Sequence, residues 1–386
     1  ILVRIAELQE RMGNIEETAK AVEAMLEIDP GNNELQILLV DYYQRLKHFD
    51  KALEFIDEAL TYDPDDLALR EKKAQTFIMM DRWNEAADEL SSLLSHPDVT
   101  FDAKVKIGAA FFEKSFQDSS MLQYSKDIFT LLDKDTTDWQ VKMYLGAIAT
   151  NEQDYEKAIG YFAEVTELAR WNVEAWIRVG GLYFDNKKYD EAITVLLEAV
   201  ENFPDDYAVN LILGISLTEK ERFDDAEKYL GKAVSLQPND IISISSYAYT
   251  LNKNKKTDEA IRYLNHGLKV DPDNIHLLGT LGMIYDSLEE WEKCDSVYTR
   301  ALELDPEDAT INNNYAYSLA ERGVRLDEAL EMSKLATEKD PENSAFLDTL
   351  GWIYFKLGDY KLAKVYIESA VKIDGERPVL LEHLGD

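Results

Sequence analysis

Cysteine is nearly absent from this sequence: Cys294 is the only one among 386 residues. One thiol cannot close a disulfide within the chain, so a disulfide framework is excluded and cysteine usage does not indicate a compartment. Long apolar runs are missing too, because stretches such as Ile37–Val40 are far shorter than the roughly 20 residues that span a bilayer. No charged-then-apolar leader follows Ile1, and we expect that the start is trimmed.

Basic residues are also in short supply, with 41 Lys and Arg against 75 Asp and Glu and a net charge of −34. Nucleic acids and anionic membrane surfaces both attract clusters of positive charge. The composition therefore argues against these two classes of partner and against membrane insertion. We expect a protein or peptide partner that offers a basic or apolar segment, and the oligomeric state stays open.

Proline recurs in this chain at a fixed interval. Pro30 and Pro64 are 34 positions apart, Pro204, Pro238, Pro272 and Pro306 follow one another at 34, and Pro341 comes 35 later. Each proline lies in an Asp- or Asn-rich turn, such as DPDN, which ends one helix and supplies a cap for the next. Within a period, apolar residues at helical spacing indicate two helices, so the chain is predicted to be an all-α array of helix pairs.

Small and aromatic residues recur at fixed positions of the period, counted from Val173 as position one. Small residues at positions eight and twenty are expected to let the two helices of a pair approach closely, because larger side chains would overpack the contact between them. Aromatic residues at position seventeen are expected to fill the space between neighbouring pairs. Position eight holds Gly146, Gly180, Gly214, Ala248, Gly282, Ala316 and Gly351; position twenty holds Ala52, Ala86, Ala158, Ala192, Ala226, Ala260, Ala329 and Ala363; position seventeen holds Phe49, Trp83, Tyr155, Tyr189, Phe223, Trp291 and Tyr360.

With these positions occupied, the chain resembles the tetratricopeptide repeat family. The segments AWIRVGGLYFDNKKYDEAITVLLEAVENFP and DTLGWIYFKLGDYKLAKVYIESAVKID carry the family's pattern of large, small and aromatic residues. The resemblance implies an α-solenoid, a right-handed superhelix of about eleven repeats of 34 residues whose first helices line a concave face. The wording YAYSLAERGVRLDEAL is similar to bacterial members, for which the cytoplasm and the periplasm or cell envelope both remain open.

Departures from the period suggest how the chain is organised. Residues 1–100 are interpreted as N-terminal repeats, the first of them partial. Residues 101–138 lack the turn proline and carry extra residues, so one irregular repeat and a possible kink are expected there. Regular repeats are predicted over 139–377, and 378–386 is read as the start of a further, truncated repeat, which suggests a fragment of a longer protein.

The tripeptide Tyr-Ala-Tyr occurs twice, at Tyr247–Tyr249 and Tyr315–Tyr317, two periods apart. Tyr247 and Tyr315 fall at position seven and are expected in the core. Residues at positions five, nine and twelve lie on a different face of the helix from position seven. The family resemblance implies that these three positions line the concave face. The residues predicted to bind a partner there are Phe184, Ile215, Tyr249, Asn252, Met283, Asp286, Asn313, Tyr317, Asp348, Trp352 and Phe355.

This stripe has two interpretations. An apolar and aromatic strip dotted with Asn and Asp is typical of a binding groove, in which Asp286 and Asp348 favour a basic residue of the bound segment. Helical aromatic stripes also often pack against a neighbouring helix. The two alternatives differ in whether Tyr317 and Trp352 are exposed.

Signals for catalysis are absent from the sequence. No phosphate-binding loop, nucleophile elbow or metal-ligand spacing occurs, so neither an enzyme nor a cofactor or metal is expected. Cys294 replaces the small residue at position twenty and is expected to be a buried filler. His276 falls at position two, where it faces the predicted groove.

Two functions fit these observations. The first is a non-catalytic scaffold for protein–protein interaction that binds a peptide or partner segment in the concave face. The alternative is an arm of a larger protein, either a bacterial cell-envelope assembly protein or lipoprotein, or a glycosyltransferase whose catalytic domain lies outside these residues.

Overall fold

The structure is a computed structural model that describes residues 1–94, 96–375 and 378–385. These residues form 23 α-helices and no β-strand. The helices alternate as eleven pairs followed by one further helix, which confirms the predicted all-α solenoid of about eleven repeats. Arg377 and Asp386, which bound the predicted last two segments, lie outside the described residues.

In most pairs the first helix packs on the second helix of its own pair, and the second helix packs in turn on the first helix of the next pair. The first helices, together with the final unpaired one, are α1 (Leu2–Arg11), α3 (Asn33–Arg45), α5 (Leu67–Met79), α7 (Phe101–Ser115), α9 (Trp139–Asn151), α11 (Val173–Asp185), α13 (Tyr207–Glu219), α15 (Ile241–Lys253), α17 (Ile275–Ser287), α19 (Ala309–Arg322), α21 (Ser344–Lys356) and α23 (Pro378–Gly385). The second helices are α2 (Ile15–Leu26), α4 (Phe49–Tyr62), α6 (Trp83–Leu94), α8 (Met121–Asp135), α10 (Tyr155–Leu168), α12 (Tyr189–Asn202), α14 (Phe223–Leu236), α16 (Thr257–Val270), α18 (Trp291–Leu304), α20 (Leu326–Lys339) and α22 (Tyr360–Ile373).

The chain divides into two compact units, Ile1–Ala175 and Trp176–Asp386, called unit 1 and unit 2 below. Unit 1 contains the segment 101–138, where α7 and α8 have 15 residues each, against 12 to 14 in the adjoining helices α5, α6, α9 and α10. The irregularity of that repeat is thus a lengthening of both helices, and the kink stays a prediction.

Most turns between pairs supply a side-chain cap for the first helix that follows. The Asp206 carboxylate accepts a hydrogen bond from the backbone N–H of Val209 at 2.9 Å, and Asn274 accepts one from Leu277 at 3.1 Å. Such caps satisfy donors that the first turn of a helix leaves unpaired. The Asp and Asn residues beside the turn prolines therefore start the first helices, as the sequence predicts.

The turn inside every pair except α7–α8 contains a residue in the left-handed region. Lys187, Glu221, Lys255 and Glu289 have φ between 55° and 62°, and Gly323 has φ 65°. The interval between successive members is one period of 34. Most of these positions are not glycine, although glycine adopts this conformation at the lowest cost.

The small residues at positions eight and twenty lie where paired helices touch. A Cβ atom added to Gly282 would stand 2.5 Å from the Tyr298 ring, and one added to Gly214 would stand 2.6 Å from Cγ of Leu230. Ala192 and Ala226, at position twenty, are fully buried. The predicted close approach of the helices is confirmed.

The aromatic residues at position seventeen follow the prediction only in part. Each is the first residue of a second helix, and Tyr360 and Tyr155 are 65% and 40% exposed. Trp83, by contrast, packs edge-on against Phe111 of the next pair with ring centroids 5.7 Å apart, so its ring does fill the space between two pairs. Other aromatic rings fill the core, among them Tyr315, which stacks on Tyr298 with ring centroids 5.1 Å apart. Tyr315 is buried as predicted, and Tyr247 is half-buried against Tyr263.

Candidate binding groove

Two adjoining cavities open along the first helices of unit 2. The first, called the α15 cavity, has a volume of about 450 Å³ and lies among α13, α15 and α17. The second, called the α19 cavity, has a volume of about 340 Å³ and lies among α17, α19, α21 and α23. Met283 lines both cavities, so together they form one groove.

The α15 cavity brings together three of the predicted site residues, Ile215, Tyr249 and Met283. Tyr249 is 39% exposed and Met283 is 43% exposed, while Ile215 is half-buried. His276 is exposed and also lines this cavity, on the side where its position in the repeat predicted it. The cavity therefore offers accessible apolar surface, with Glu219, Glu221 and Lys253 also in its lining.

The α19 cavity contains five of the predicted residues: Met283, Asp286, Asn313, Tyr317 and Asp348. Asn313 is only 6% exposed, and its Oδ1 atom has no hydrogen-bond partner among the described residues. Its Nδ2 donates to Oδ1 of Asn314 at 3.3 Å. A buried acceptor without a donor is unfavourable, so Asn313 leaves one hydrogen bond for a ligand to supply.

Negative charge surrounds Tyr317. Burial, together with the charges of Glu321, Asp348, Asp286 and Glu382, raises the pKa of this tyrosine to about 12. The raised pKa shows that the surroundings of this ring resist a further negative charge. The carboxylates among these groups favour a cation, whereas burial disfavours a charge of either sign.

Asp286 retains accepting capacity in this cavity. Among the described residues, its Oδ1 atom accepts from the Ser318 hydroxyl and stands 3.9 Å from the Cys294 sulfur. A carboxylate has about four acceptor positions on two oxygens, so these contacts leave room for a further donor.

Asp348, by contrast, already has a hydrogen-bond partner within the chain. Nδ1 of His383, on α23, lies 2.9 Å and 3.0 Å from the two carboxylate oxygens of Asp348, and both side chains are buried. Burial disfavours the charged imidazole, but the hydrogen bond and charge of Asp348 outweigh this effect and raise the pKa of His383. His383 therefore takes the place of the basic ligand residue that the sequence predicts beside Asp348.

Trp352 is covered by the same helix. Its ring stacks on His383 with centroids 4.1 Å apart and on Phe355 at 5.0 Å, and its Nε1 donates to Glu321. Trp352 is 7% exposed and Tyr317 is half-buried. At this end of the groove the ninth position packs between helices, whereas at Tyr249 and Met283 it is open.

The remaining predicted residues lie outside both cavities. Asn252 accepts a hydrogen bond from the Thr257 hydroxyl at 3.0 Å, and Phe184 packs against Tyr189 with ring centroids 5.6 Å apart. Phe355 lies between Trp352 and Tyr360. The structure gives these three side chains contacts within or beside their own repeats.

Sequence reasoning missed several lining residues. Val379 and Leu380 of α23 close the α19 cavity, and Lys253 lies over the Tyr249 ring at 5.3 Å. The sequence does contain the signal for α23, because PVLLEHLGD predicts the start of a further first helix. Its first-helix register did not predict that His383 pairs with Asp348.

A larger cleft, of about 770 Å³, lies in unit 1 among α2, α3, α4 and α5, where no site residue was predicted. Its floor includes the buried Leu26, Leu39 and Leu69. Its lining includes five carboxylates, Glu23, Glu27, Glu58, Asp63 and Asp66. An acidic lining therefore occurs in both units.

Signals for chemistry are weak in the structure as well. Within residues 1–94, 96–375 and 378–385, no group of three or more His, Cys, Asp or Glu side chains is arranged to hold a metal ion. None of the helices in that part of the chain is long and apolar enough to cross a membrane. Cys294 is fully buried, as predicted.

Helix pairs repeated at this period, with small residues at the seam, define a helical-repeat protein. The family model described as the C-terminal domain of cilia and flagella-associated protein 70 matches residues 106–346, more than half of the chain. Tetratricopeptide repeat models match residues 10–75 and 345–377. The chain therefore belongs to the tetratricopeptide repeat family, whose members are in general scaffolds for protein interaction and typically non-catalytic.

Individual proteins resemble this chain more remotely. A stretch of 82 residues is 33% identical to the TPR repeat-containing protein PA4667 of Pseudomonas aeruginosa and covers 21% of this chain and 14% of that protein. A tetratricopeptide repeat protein from Parabacteroides merdae aligns with a TM-score of 0.58 at 11% identity, over 64% of this chain and 97% of that one. Yeast Tom70 aligns with a TM-score of 0.49 at 16% identity, over 100% and 93%. At 11% identity, the likeness to the Parabacteroides protein concerns the fold.

Proposed function

We propose that the chain is a non-catalytic scaffold that binds an extended segment of a partner protein along the first helices of unit 2, on the face that this family makes concave. The observation that carries the proposal is the continuity of the two cavities through Met283. Exposed aromatic and Met side chains beside a groove are typical of binding surfaces, because they bury large apolar area at low conformational cost. The net charge of −34 favours a partner segment that is basic as well as apolar.

The test is selection of peptides from a displayed library of random sequences against the purified chain, followed by fluorescence anisotropy of the enriched peptides. A double variant, Tyr249→Ala with Met283→Ala, removes the accessible anchors of the α15 cavity. We expect it to weaken binding by at least tenfold while circular dichroism and thermal unfolding stay close to wild type, because both side chains are exposed.

The matched control is Tyr155→Ala with Met12→Ala, which removes the same residue types, 40% and 60% exposed, from unit 1. Binding by this control is expected to equal that of the wild type. If no peptide is enriched, or if both double variants bind equally well, the groove in unit 2 is not the binding site and the proposal is wrong.

A further inference from the structure

We infer that the α19 cavity is an arginine-binding subsite, in which Asn313, Asp286 and Tyr317 hold a guanidinium group of the bound segment. The inference names the chemistry of the partner and rests on the proposed function only for the segment that delivers the arginine. The inference assigns no ligand contact to Asp348, because its carboxylate is already paired with His383.

The first argument is the unpaired acceptor. Oδ1 of Asn313 is buried, lines the cavity and has no donor among the described residues. Buried polar groups in folded proteins are nearly always paired, so an unpaired one beside a cavity points to a ligand that brings a donor. Guanidinium is a donor-only group with five N–H bonds and no acceptor.

The second argument is charge. Asp286 lies in the same cavity with accepting capacity left beyond its contact with Ser318. Glu321, Asp286 and Glu382 also contribute negative charge around Tyr317, while His383 pairs with the carboxylate of Asp348. A cation entering here gains from these charges, whereas a carboxylate or phosphate is repelled.

The third argument is shape. The cavity is bounded by the Tyr317 ring and by the apolar side chains of Met283 and Leu380. A guanidinium plane stacks on aromatic faces and is weakly hydrated, while an ammonium is a compact and strongly hydrated point charge. The Tyr317 ring offers a surface for stacking, and Asp286 and Asn313 offer acceptors for N–H groups. This combination matches arginine better than lysine.

The two cavities together define a spacing. Neighbouring helices pack about 8–10 Å apart, and α15 and α19 are separated by one first helix, α17. Their cavities are therefore on the order of 16–20 Å apart, which an extended chain covers in about five to six residues. A segment with an apolar residue about five or six positions from an arginine fits both cavities.

The experiment uses the purified chain labelled at the methionine methyl groups with carbon-13, because Met283 lines the cavity. The Met283 signal is assigned with Met283→Leu, and the probes are N-acetyl-arginine methylamide and the matching citrulline compound, in which a neutral urea replaces the guanidinium. We expect a saturable shift of the Met283 signal with the arginine probe and at least tenfold weaker binding of the citrulline probe.

Three variants locate the effect. Asp286→Asn keeps an acceptor for Ser318 but removes the charge, and it is expected to weaken the arginine probe by about tenfold. Asn313→Leu removes the acceptor, and since the amide oxygen has no partner in the free protein, folding by circular dichroism should be preserved while binding weakens. Glu58→Gln removes one charge from the acidic cleft of unit 1, and it is expected to leave the affinity within twofold.

Some results would overturn the inference. Equal shifts with arginine and citrulline would mean that the guanidinium is not recognised. Equal losses in Asp286→Asn and Glu58→Gln would mean that only the net charge matters, and the absence of a saturable shift would mean that no subsite exists. Displayed peptides that still bind the groove after such a result would keep the proposed function, whereas an arginine response without any selected peptide would keep the subsite and remove the proposed function.

Discussion

Two adjacent glycines in α11 allow the seam between paired helices to be tested with a built-in control. A Cβ atom added to Gly180 would lie 2.6 Å from Cδ2 and 2.7 Å from Cγ of Leu196, whereas one added to Gly181 meets nothing within 4 Å. Both positions are in the middle of the same helix. Alanine at either position therefore gains the same helical propensity, and only the packing differs.

The expected magnitudes follow from that difference. Replacing glycine by alanine inside a helix stabilises it by about 1 kcal/mol. Gly181→Ala should therefore stabilise the protein by about this amount. Gly180→Ala adds an overpacking cost of about 1–3 kcal/mol against Leu196, so its net effect runs from about zero to a loss of about 2 kcal/mol. The propensity term cancels between the two variants, and their difference should be about 1–3 kcal/mol.

The measurement must be local, because a repeat array does not unfold as a single two-state unit. Native-state hydrogen exchange of amides in α11 and α12 gives the free energy of opening of this helix pair. Leu196 belongs to α12, so both helices of the pair should lose protection in Gly180→Ala relative to Gly181→Ala. If the two variants are equally protected, close approach at position eight does not limit side-chain size, and the packing argument fails.

Three further predictions concern single positions in unit 2. Because the pKa of His383 is raised, its pairing with Asp348 contributes stability that is present below the unfolded pKa, about 6.5, and is lost as pH rises through the folded value. Hydrogen-exchange protection of α23 should thus decline above that pH, and a decline that persists in His383→Gln would contradict the assignment. Burial raises the pKa of the Cys294 thiol to about 11, so iodoacetamide at pH 8 is expected to modify it only after urea unfolding; labelling of the folded chain at the rate of a free thiol would refute this. Glu289 has φ 57°, and Glu289→Gly should stabilise the α17–α18 pair by about 0.5–1 kcal/mol by hydrogen exchange, since the relief of left-handed strain exceeds the entropy cost of glycine; unchanged or lower protection would count against that balance.

The repeat architecture could be predicted because its signals are local. A turn proline, the Asp or Asn that caps the next helix, and the small residue at position eight all act within one period, as Asp206 and Gly214 do in α13. Aromatic residues at position seventeen are predicted to lie between repeats, and this holds for Trp83 but not for the exposed Tyr360. Both begin a second helix, so the position alone does not determine whether the ring is covered.

The groove could be predicted only in part, because exposure depends on which neighbour covers a residue. Tyr249 and Trp352 share the ninth position, yet the first is open and the second lies under His383. Asn313 shows the same limit, since a sequence does not reveal that one end of a buried amide lacks a partner. Position in the repeat specified the face, and contacts with the next first helix determined which side chains stay accessible.

The caps and left-handed turns at intervals of 34 have a consequence for how such a chain changes over generations. Asn274 caps α17, Glu289 lies in the left-handed turn, and Gly282 allows the two helices of the pair to approach closely. One repeat therefore contains the residues that start its first helix, reverse the chain and pack its two helices together. Since each repeat needs only its neighbours, a gene segment that encodes one whole period could be duplicated or deleted without new signals elsewhere. The length of the groove would then be an inherited variable, adjustable in steps of one helix pair.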